Sequence, residues 1–171
     1  MLFLALPLLV ACPAEQLGVE LPEGGVKAIS AEDLQRDVHA LTRPGADAGE
    51  VFAHRLSQMH LPPTLTGDGR VCGHLGGEDG ARVIVAPWPA AGPLSPADAA
   101  QAAVLISLAK GWDGQAPPAR ATWLCLAKAG AALPEGKVVG TGVVVVAQQV
   151  EAIDYRKLRT ETQGRLRALT K

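Results

Sequence analysis

The spacing of the hydrophobic positions changes several times along this chain, and each change predicts a different element. Leu34, Val38 and Leu41 recur at helical intervals after Ser30, a residue type that favours the position just before a helix. Asp33 stands three positions after Ser30, where an acid can complete a reciprocal cap. The pattern predicts a first helix directly after Ser30, ended by the Pro-Gly segment that follows it.

A second helical pattern extends over about Glu50 to Met59. It places Phe52 and Leu56 on one apolar face together with Met59. The helix is expected to stop before Pro62 and Pro63, because proline lacks the N–H group and clashes with the preceding turn.

Two segments with alternating apolar residues come next. Residues 69–76 read GRVCGHLG and residues 81–87 read ARVIVAP, with a glycine-rich connection between them. Two alternating runs joined by a short glycine-rich segment predict an antiparallel hairpin.

A third helix is predicted from Ser95, which is followed by Pro96 at the first helical position and by the acid Asp98. Its residues are apolar almost all round, which is typical of a helix covered on most sides. Gly111 is expected to end it after Lys110, because glycine favours the position after a helix. A strand, RATWLCLA, follows and completes a strand–helix–strand unit with a right-handed crossover.

The run KVVGTGVVVVA, residues 137–147, is nearly continuous valine and predicts a central strand covered on both faces. The amphipathic, basic tail from Val150 to Lys171 predicts a closing helix. The expected fold class is therefore α/β, with a mixed β-sheet that combines an antiparallel hairpin and a βαβ unit, flanked by helices. We place this single domain at residues 29–171.

Composition narrows the class of protein. The chain has 171 residues, of which 48% are hydrophobic and 19% charged, and its net charge is −1. This composition is typical of one folded domain and not of a disordered chain. No basic stripe is present, and phosphate binding needs clustered lysine and arginine, so we expect no nucleic-acid partner.

The first residues indicate export. Residues 1–11 are apolar, too short to span a bilayer, and resemble a signal peptide. The quartet from Leu9 to Cys12 resembles a bacterial lipobox, in which the cysteine is lipidated and becomes the new N-terminus. The resemblance implies a chain anchored to the bacterial cell envelope through Cys12, with residues 12–28 as a linker. Pro13 fits the outer membrane, facing the periplasm; an ordinary cleavage site and a secreted protein remain the alternative.

If Cys12 is lipidated, two further cysteines remain in an oxidising compartment, where a disulfide can form. Cys72 and Cys125 both lie in predicted strands, so a disulfide between them and two buried free thiols are both open. His74 shares a strand face with Cys72, but neither an orienting acid nor metal-ligand spacing accompanies it.

The order of elements from Ile29 to Ala127 resembles the bacterial zinc aminopeptidase family, the leucyl-aminopeptidase type of co-catalytic zinc exopeptidase. The segments that carry the resemblance are ISAEDLQRDVHALT, FAHRLSQMHLPP, QAAVLISLAKGW and PPARATWLCLA. It implies a zinc-exopeptidase fold with the site at the ends of the strands.

The residues that would perform the chemistry of that family are missing. A metal histidine and an aspartate belong after the second strand, where this chain has Ala86 to Pro89. The bridging aspartate belongs before the third helix, where Asp98 is the only acid, and consecutive glutamates belong where the chain reads Ala127 to Gly130. Proline, tryptophan and lysine cannot replace the carboxylate and imidazole ligands of zinc. The resemblance therefore implies a degenerate, shortened relative without metal or other cofactor.

Two functions follow as hypotheses. The first is a non-catalytic envelope lipoprotein with a peptidase-like domain used for binding or assembly, in which Pro87, Trp88, Pro89 and Asp98 border a cleft for a protein, peptide or glycan. An alternative hypothesis for Trp88 is that it has no binding role and only fills the space that the metal site would occupy in the family. The alternative function is a zinc aminopeptidase with unrecognised ligands. An unrelated α/β domain and a truncated gene product also remain open.

Overall fold

The computed structural model describes residues 26–66, 69–77, 79–89, 93–115 and 118–170. The predicted signal peptide, Cys12 and most of the linker lie outside these ranges. The helices are α1 (Ala31–Thr42), α2 (Ala48–Gln58), α3 (Pro96–Trp112) and α4 (Tyr155–Leu169), with a short 3₁₀ turn at Val150–Ala152. The strands are β1 (Thr64–Thr66), β2 (Arg70–Leu75), β3 (Asp79–Trp88), β4 (Arg120–Lys128) and β5 (Lys137–Gly140).

None of the helices in these ranges has both the length and the apolar character that crossing a bilayer requires.

The five strands form one mixed sheet in the order β1-β2-β4-β3-β5. The pairs β1–β2 and β2–β4 are antiparallel, whereas β3–β4 and β3–β5 are parallel. Since α3 connects the parallel neighbours β3 and β4, the predicted βαβ unit is present. The α/β fold class with a mixed sheet flanked by helices is confirmed.

The predicted hairpin between residues 69–76 and 81–87 is wrong. Strand β4 lies between these two segments and pairs with both of them: Cys125 stands opposite Cys72 on one side and beside Val85 on the other. The physical reason is burial, because Leu124, Cys125 and Leu126 are all inaccessible to solvent and the most apolar strand takes the centre of the sheet. The local hairpin of this fold is β1–β2 instead.

Helix α1 begins as predicted, because the Ser30 side chain accepts a hydrogen bond from the Asp33 backbone N–H at 3.2 Å. The Asp33 carboxylate pairs with Arg36 and, at 3.5 Å, with Lys110 of α3. The Asp33 side chain therefore links α1 to α3 and does not complete the predicted reciprocal cap. The predicted apolar face of α1 is buried.

Helix α3 begins at its predicted Ser95 cap but continues past Gly111 to Trp112, so the predicted end is wrong. Gly111 is needed for packing, because Leu166 of α4 lies directly over its Cα and a side chain there would overlap Leu166 Cδ2. After the end of α3, Gly114 has the positive φ, +71°, that glycine often adopts beyond a helix. Trp112 is consequently the last helical residue and is buried.

The main core lies on one face of the sheet, between strands β2–β4 and the helices. The cluster on the opposite face consists of Cys72, Val83 and Cys125, with Trp123 and Leu133 packed against it. This second cluster contains no residue of the described helices, so the two faces are covered unequally.

The valine run was predicted as a central strand, and this prediction is wrong. Only Lys137–Gly140 joins the sheet, as an edge strand beside β3. Val144 and Val146 are 80% and 92% exposed. The Gln101 side chain of α3 bonds to the Thr141 hydroxyl and the Val143 carbonyl, which draws the chain away from the sheet after residue 140. These polar contacts overcome the strand propensity of valine.

The Gly111 contact yields a first testable prediction. We expect Gly111→Ala to lower the free energy of unfolding by about 1–3 kcal/mol, because the added methyl group overpacks against Leu166. Gly164→Ala is the matched control, since Gly164 is exposed on α4 and an added Cβ there would meet no atom within 4 Å, and it should raise stability by about 0.5–1 kcal/mol. Denaturant unfolding of both variants measures the difference, and equal effects would contradict the packing assignment.

Candidate functional site

The carboxyl ends of β3 and β4 and the start of α3 enclose a shallow cavity of about 390 Å³. The four residues predicted to border a cleft, Pro87, Trp88, Pro89 and Asp98, all line it. The remaining lining residues are mainly apolar and small: Val85, Ala127, Lys128, Ala129, Gly130, Ala131 and Leu133. This edge of a parallel strand pair is where α/β proteins usually place their ligands.

Trp88 is the last residue of β3 and is half-buried. Its six-membered ring packs on Gly49 of α2, where a Cβ would overlap the indole Cη2 and Cζ2 atoms. The ammonium nitrogen of Lys128, its register partner on β4, lies 4.7 Å from the ring centroid. This distance suits a cation–π contact. One edge of Trp88 therefore fills space against α2, and its ring also forms a wall of the cavity.

Asp98 is held by its own helix cap. Its carboxylate accepts a hydrogen bond from the Ser95 hydroxyl at 2.7 Å, and its backbone N–H donates to Ser95 Oγ at 3.1 Å. This reciprocal pair satisfies the first turn of α3 and directs the carboxylate toward Ser95. The carboxylate is thus a structural group at the rim of the cavity.

The zinc site that the family resemblance implies does not fit these residues. Indole, pyrrolidine and alanine side chains offer no ligand atom, Lys128 is a cation, and Asp98 is engaged with Ser95. Over the whole described part of the chain, no three His, Cys, Asp or Glu side chains converge as a metal site requires.

Cys72 and Cys125 face each other directly across β2 and β4, and the structure joins their sulfur atoms in a disulfide. Both residues are buried. Cys72 is therefore engaged with Cys125 and not with His74. The His74 ring instead stacks on Trp123, with the ring centroids 4.4 Å apart.

Two parts of the molecule were missed at the sequence level. Lys128 directly follows the predicted strand RATWLCLA and is the last residue of β4, a position that could have indicated the rim of the cleft. Asp37 lies on the buried side of α1, fully inaccessible, and pairs with Arg55 at 2.9 Å and Lys110 at 3.2 Å. The signal was an acid between Leu34 and Val38, on the face that the hydrophobic pattern assigns to the core.

The fold resembles several solved structures at low identity. A leucine aminopeptidase precursor from Bacteroides thetaiotaomicron is 16% identical, with a TM-score of 0.48 over 66% of this chain and 52% of that one. A glutaminyl cyclase from the same species gives the same values. A glutaminyl cyclase from Porphyromonas gingivalis is 14% identical, with a TM-score of 0.43 over 63% of this chain and 48% of its own length.

The chain thus spans about half the length of these solved structures. No family model matches it, and no curated protein matches it.

The composition of the cavity predicts the response to zinc. We expect the purified protein to retain no zinc after incubation with the ion and desalting, because the cavity has no convergent ligands. Metal content measured by plasma mass spectrometry checks this, with cooperative unfolding of the same sample as the control for folding. One or two tightly held equivalents per chain would contradict the prediction and favour the alternative of a zinc aminopeptidase.

Proposed function

We propose that this chain is a non-catalytic binding domain of the bacterial cell envelope, with a peptidase-like α/β fold and a ligand site at Trp88. One observation carries the proposal. At the strand ends, where an α/β enzyme would place its catalytic groups, the cavity has an apolar wall built from Trp88 and two prolines, with Lys128 against the ring.

The polar groups of the cavity support binding better than catalysis. Proton transfer or nucleophilic attack needs a base or nucleophile within hydrogen-bond reach of the reacting atom. The titratable side chains on the cavity wall are Asp98 and Lys128, and each has a local partner in Ser95 and Trp88 respectively. Neither is oriented by a second catalytic group among the described residues.

The lining favours an extended peptide over a glycan or a broad protein surface. Sugars need several planar polar side chains for their hydroxyl groups, and Lys128 and Asp98 alone do not supply them. A tryptophan between prolines, with a floor of alanine and glycine, offers a flat apolar slot for one aliphatic or aromatic side chain. The Lys128 ammonium at the rim would favour an acid next to that side chain.

The envelope location rests on the lipobox-like quartet that ends at Cys12. Bacterial lipoproteins carry several acyl chains on such a cysteine, and more than one chain is needed for stable attachment. The anchor would hold the folded domain at the membrane surface, where the Trp88 cavity would meet envelope peptides or proteins.

Blocking the slot tests the binding site. We expect peptides selected from a random library on the immobilised protein to bind Ala131→Arg about tenfold or more weakly, because a long cationic side chain enters the slot that Ala131 lines. Ala132→Arg is the matched control, since Ala132 is exposed in the same loop and does not line the cavity. Its affinity for the same peptides should be unchanged.

Fluorescence titration of each variant measures the affinities, and denaturant unfolding verifies that both fold. Equal affinity of the two variants would place the peptide elsewhere. A library that yields no binder to the native protein would reject a peptide ligand for this site.

The anchor has a separate test. We expect Cys12→Ser, expressed as the full chain in a bacterial host, to lose incorporation of labelled palmitate and to leave the membrane fraction, because the acceptor thiol is gone. The double variant Cys72→Ser, Cys125→Ser should still be labelled, since both residues are buried in the sheet. Labelling of Cys12→Ser equal to the native chain would refute lipidation at this residue.

A further inference from the structure

The solvent side of α4 carries a row of arginines. Arg156, Arg159 and Arg167 are all exposed, and together with Gln163 they follow one another at spacings of three or four residues. Residues at these spacings are neighbours along one side of a helix, so the row extends over about 16 Å. None of the three guanidinium groups has a hydrogen bond or an ion pair within the described part of the chain.

One acid of a neighbouring helix offsets part of this charge. Glu32 of α1 accepts a hydrogen bond from the Ser30 hydroxyl at 2.7 Å. This bond lowers the pKa of Glu32, and the charge of Arg159 lowers it further, so Glu32 is ionised at neutral pH. Glu32 therefore compensates one of the three positive charges of the row, and the other two remain.

The other charged groups of α4 are engaged away from the row. Lys157 pairs with Glu161 at 3.8 Å. Arg165 extends toward β5, where it donates to the carbonyl of Gly140 at 3.4 Å. Asp154 caps the first turn of the helix by accepting from the Lys157 backbone N–H at 3.0 Å. These groups leave the arginine row as an uncompensated basic strip on the surface.

The chain enters the folded domain beside this row. The Ile29 backbone N–H donates a hydrogen bond to Gln163 Oε1 at 2.8 Å, and Gln163 stands between Arg159 and Arg167 on the helix. The segment before Ile29 leads back to Cys12. Even a fully extended chain of the length of residues 13–25 spans no more than about 45 Å. An anchor on Cys12 therefore attaches the domain to the membrane by the side on which the arginine row lies.

We propose that the arginine row of α4 docks on anionic lipid headgroups when the chain is anchored in the envelope. The contact is electrostatic alone, because the apolar face of α4, with Leu158, Leu166 and Leu169, is buried in the core and cannot insert into a bilayer. The domain consequently lies with α4 toward the membrane surface. This inference rests on the anchor proposed for Cys12, whereas its test does not require lipidation.

Other acidic partners fit the row less well. Proteins that bind nucleic acid tightly contact about 6–10 phosphates, and this row offers three arginines. The linker has its own acids, Glu15, Glu20 and Glu23, which are the competing partners within the chain. An anionic lipid surface presents many more negative charges than these three, and it lies on the side where the linker leaves the domain.

The test measures cosedimentation of the full chain with vesicles of phosphatidylglycerol and with vesicles of phosphatidylcholine. We expect binding to phosphatidylglycerol to be about tenfold or more tighter at low salt, and this difference to disappear at high salt, because salt screens exposed charges. The apolar N-terminal run is the same in both measurements, so the difference between the two lipids isolates the effect of charge.

The double variant Arg159→Gln, Arg167→Gln should bind phosphatidylglycerol about tenfold or more weakly, because each cation near an anionic surface contributes about fivefold. Its unfolding midpoint should be unchanged, since both side chains are exposed. The matched control is Arg43→Gln, Lys137→Gln, which removes the same charge from exposed positions outside α4 and should bind like the native chain.

The proposal is overturned if the full chain binds both lipids equally, which is also the result expected if the linker glutamates occupy the row. Equal affinity of the two double variants for phosphatidylglycerol overturns it as well. Palmitate labelling of Cys12 is a separate measurement, so failure of the anchor can be told apart. Absent labelling with charge-selective binding retained would refute the anchor and support α4 as a lipid-binding surface.

Discussion

The central position of β4 is the constraint on which the rest of this structure depends. This strand pairs antiparallel with β2 and parallel with β3, and its residues Leu124 to Leu126 are completely buried. Because β3 must run parallel to β4, the connection between them has to cross the sheet, and α3 makes that crossing. The helix is apolar on nearly every side since it lies between the sheet and α1 and α4. The strand ends and the start of α3 consequently meet at one edge, where Trp88 and Asp98 form the candidate site.

The helices were predicted well from local sequence patterns, because the start and the buried face of a helix depend on residues close together in sequence. The caps at Ser30 and Ser95, the apolar face of α1 and the amphipathic closing helix each follow from residues within one or two turns. The pairing of the strands was not predictable in the same way. Residues 69–76 and 81–87 have the sequence pattern of a hairpin, yet β4, about 40 residues later, lies between them in the sheet. Which strand takes the central position depends on how all the strands pack together, and local sequence does not show this.

Two other predictions failed because of single long-range contacts. Glycine commonly ends a helix, so Gly111 was predicted as the end of α3. In the structure Leu166, from the far end of the chain, packs on Gly111 and leaves no room for a side chain at this position inside the helix. The valine run has the composition of a central strand, but Gln101 holds Thr141 and Val143 away from the sheet. In the candidate site, the positions of Pro87, Trp88, Pro89 and Asp98 were predictable from strand and helix ends. The contacts of Trp88 with Gly49 and Lys128 were not, because they join elements remote in sequence.

The buried Asp37 gives the helical layer a physical character different from that of the Trp88 cavity. The Trp88 cavity is bordered mainly by apolar groups that need no polar partner, and its two charged side chains, Asp98 and Lys128, contact Ser95 and the Trp88 ring. Around Asp37, by contrast, one buried carboxylate connects α1 with Arg55 of α2 and Lys110 of α3. Replacing a buried ion pair with apolar residues is often neutral or stabilising, so stability alone gives little reason for such a network. What the network does provide is an ion-paired connection between three helices, which apolar packing cannot supply.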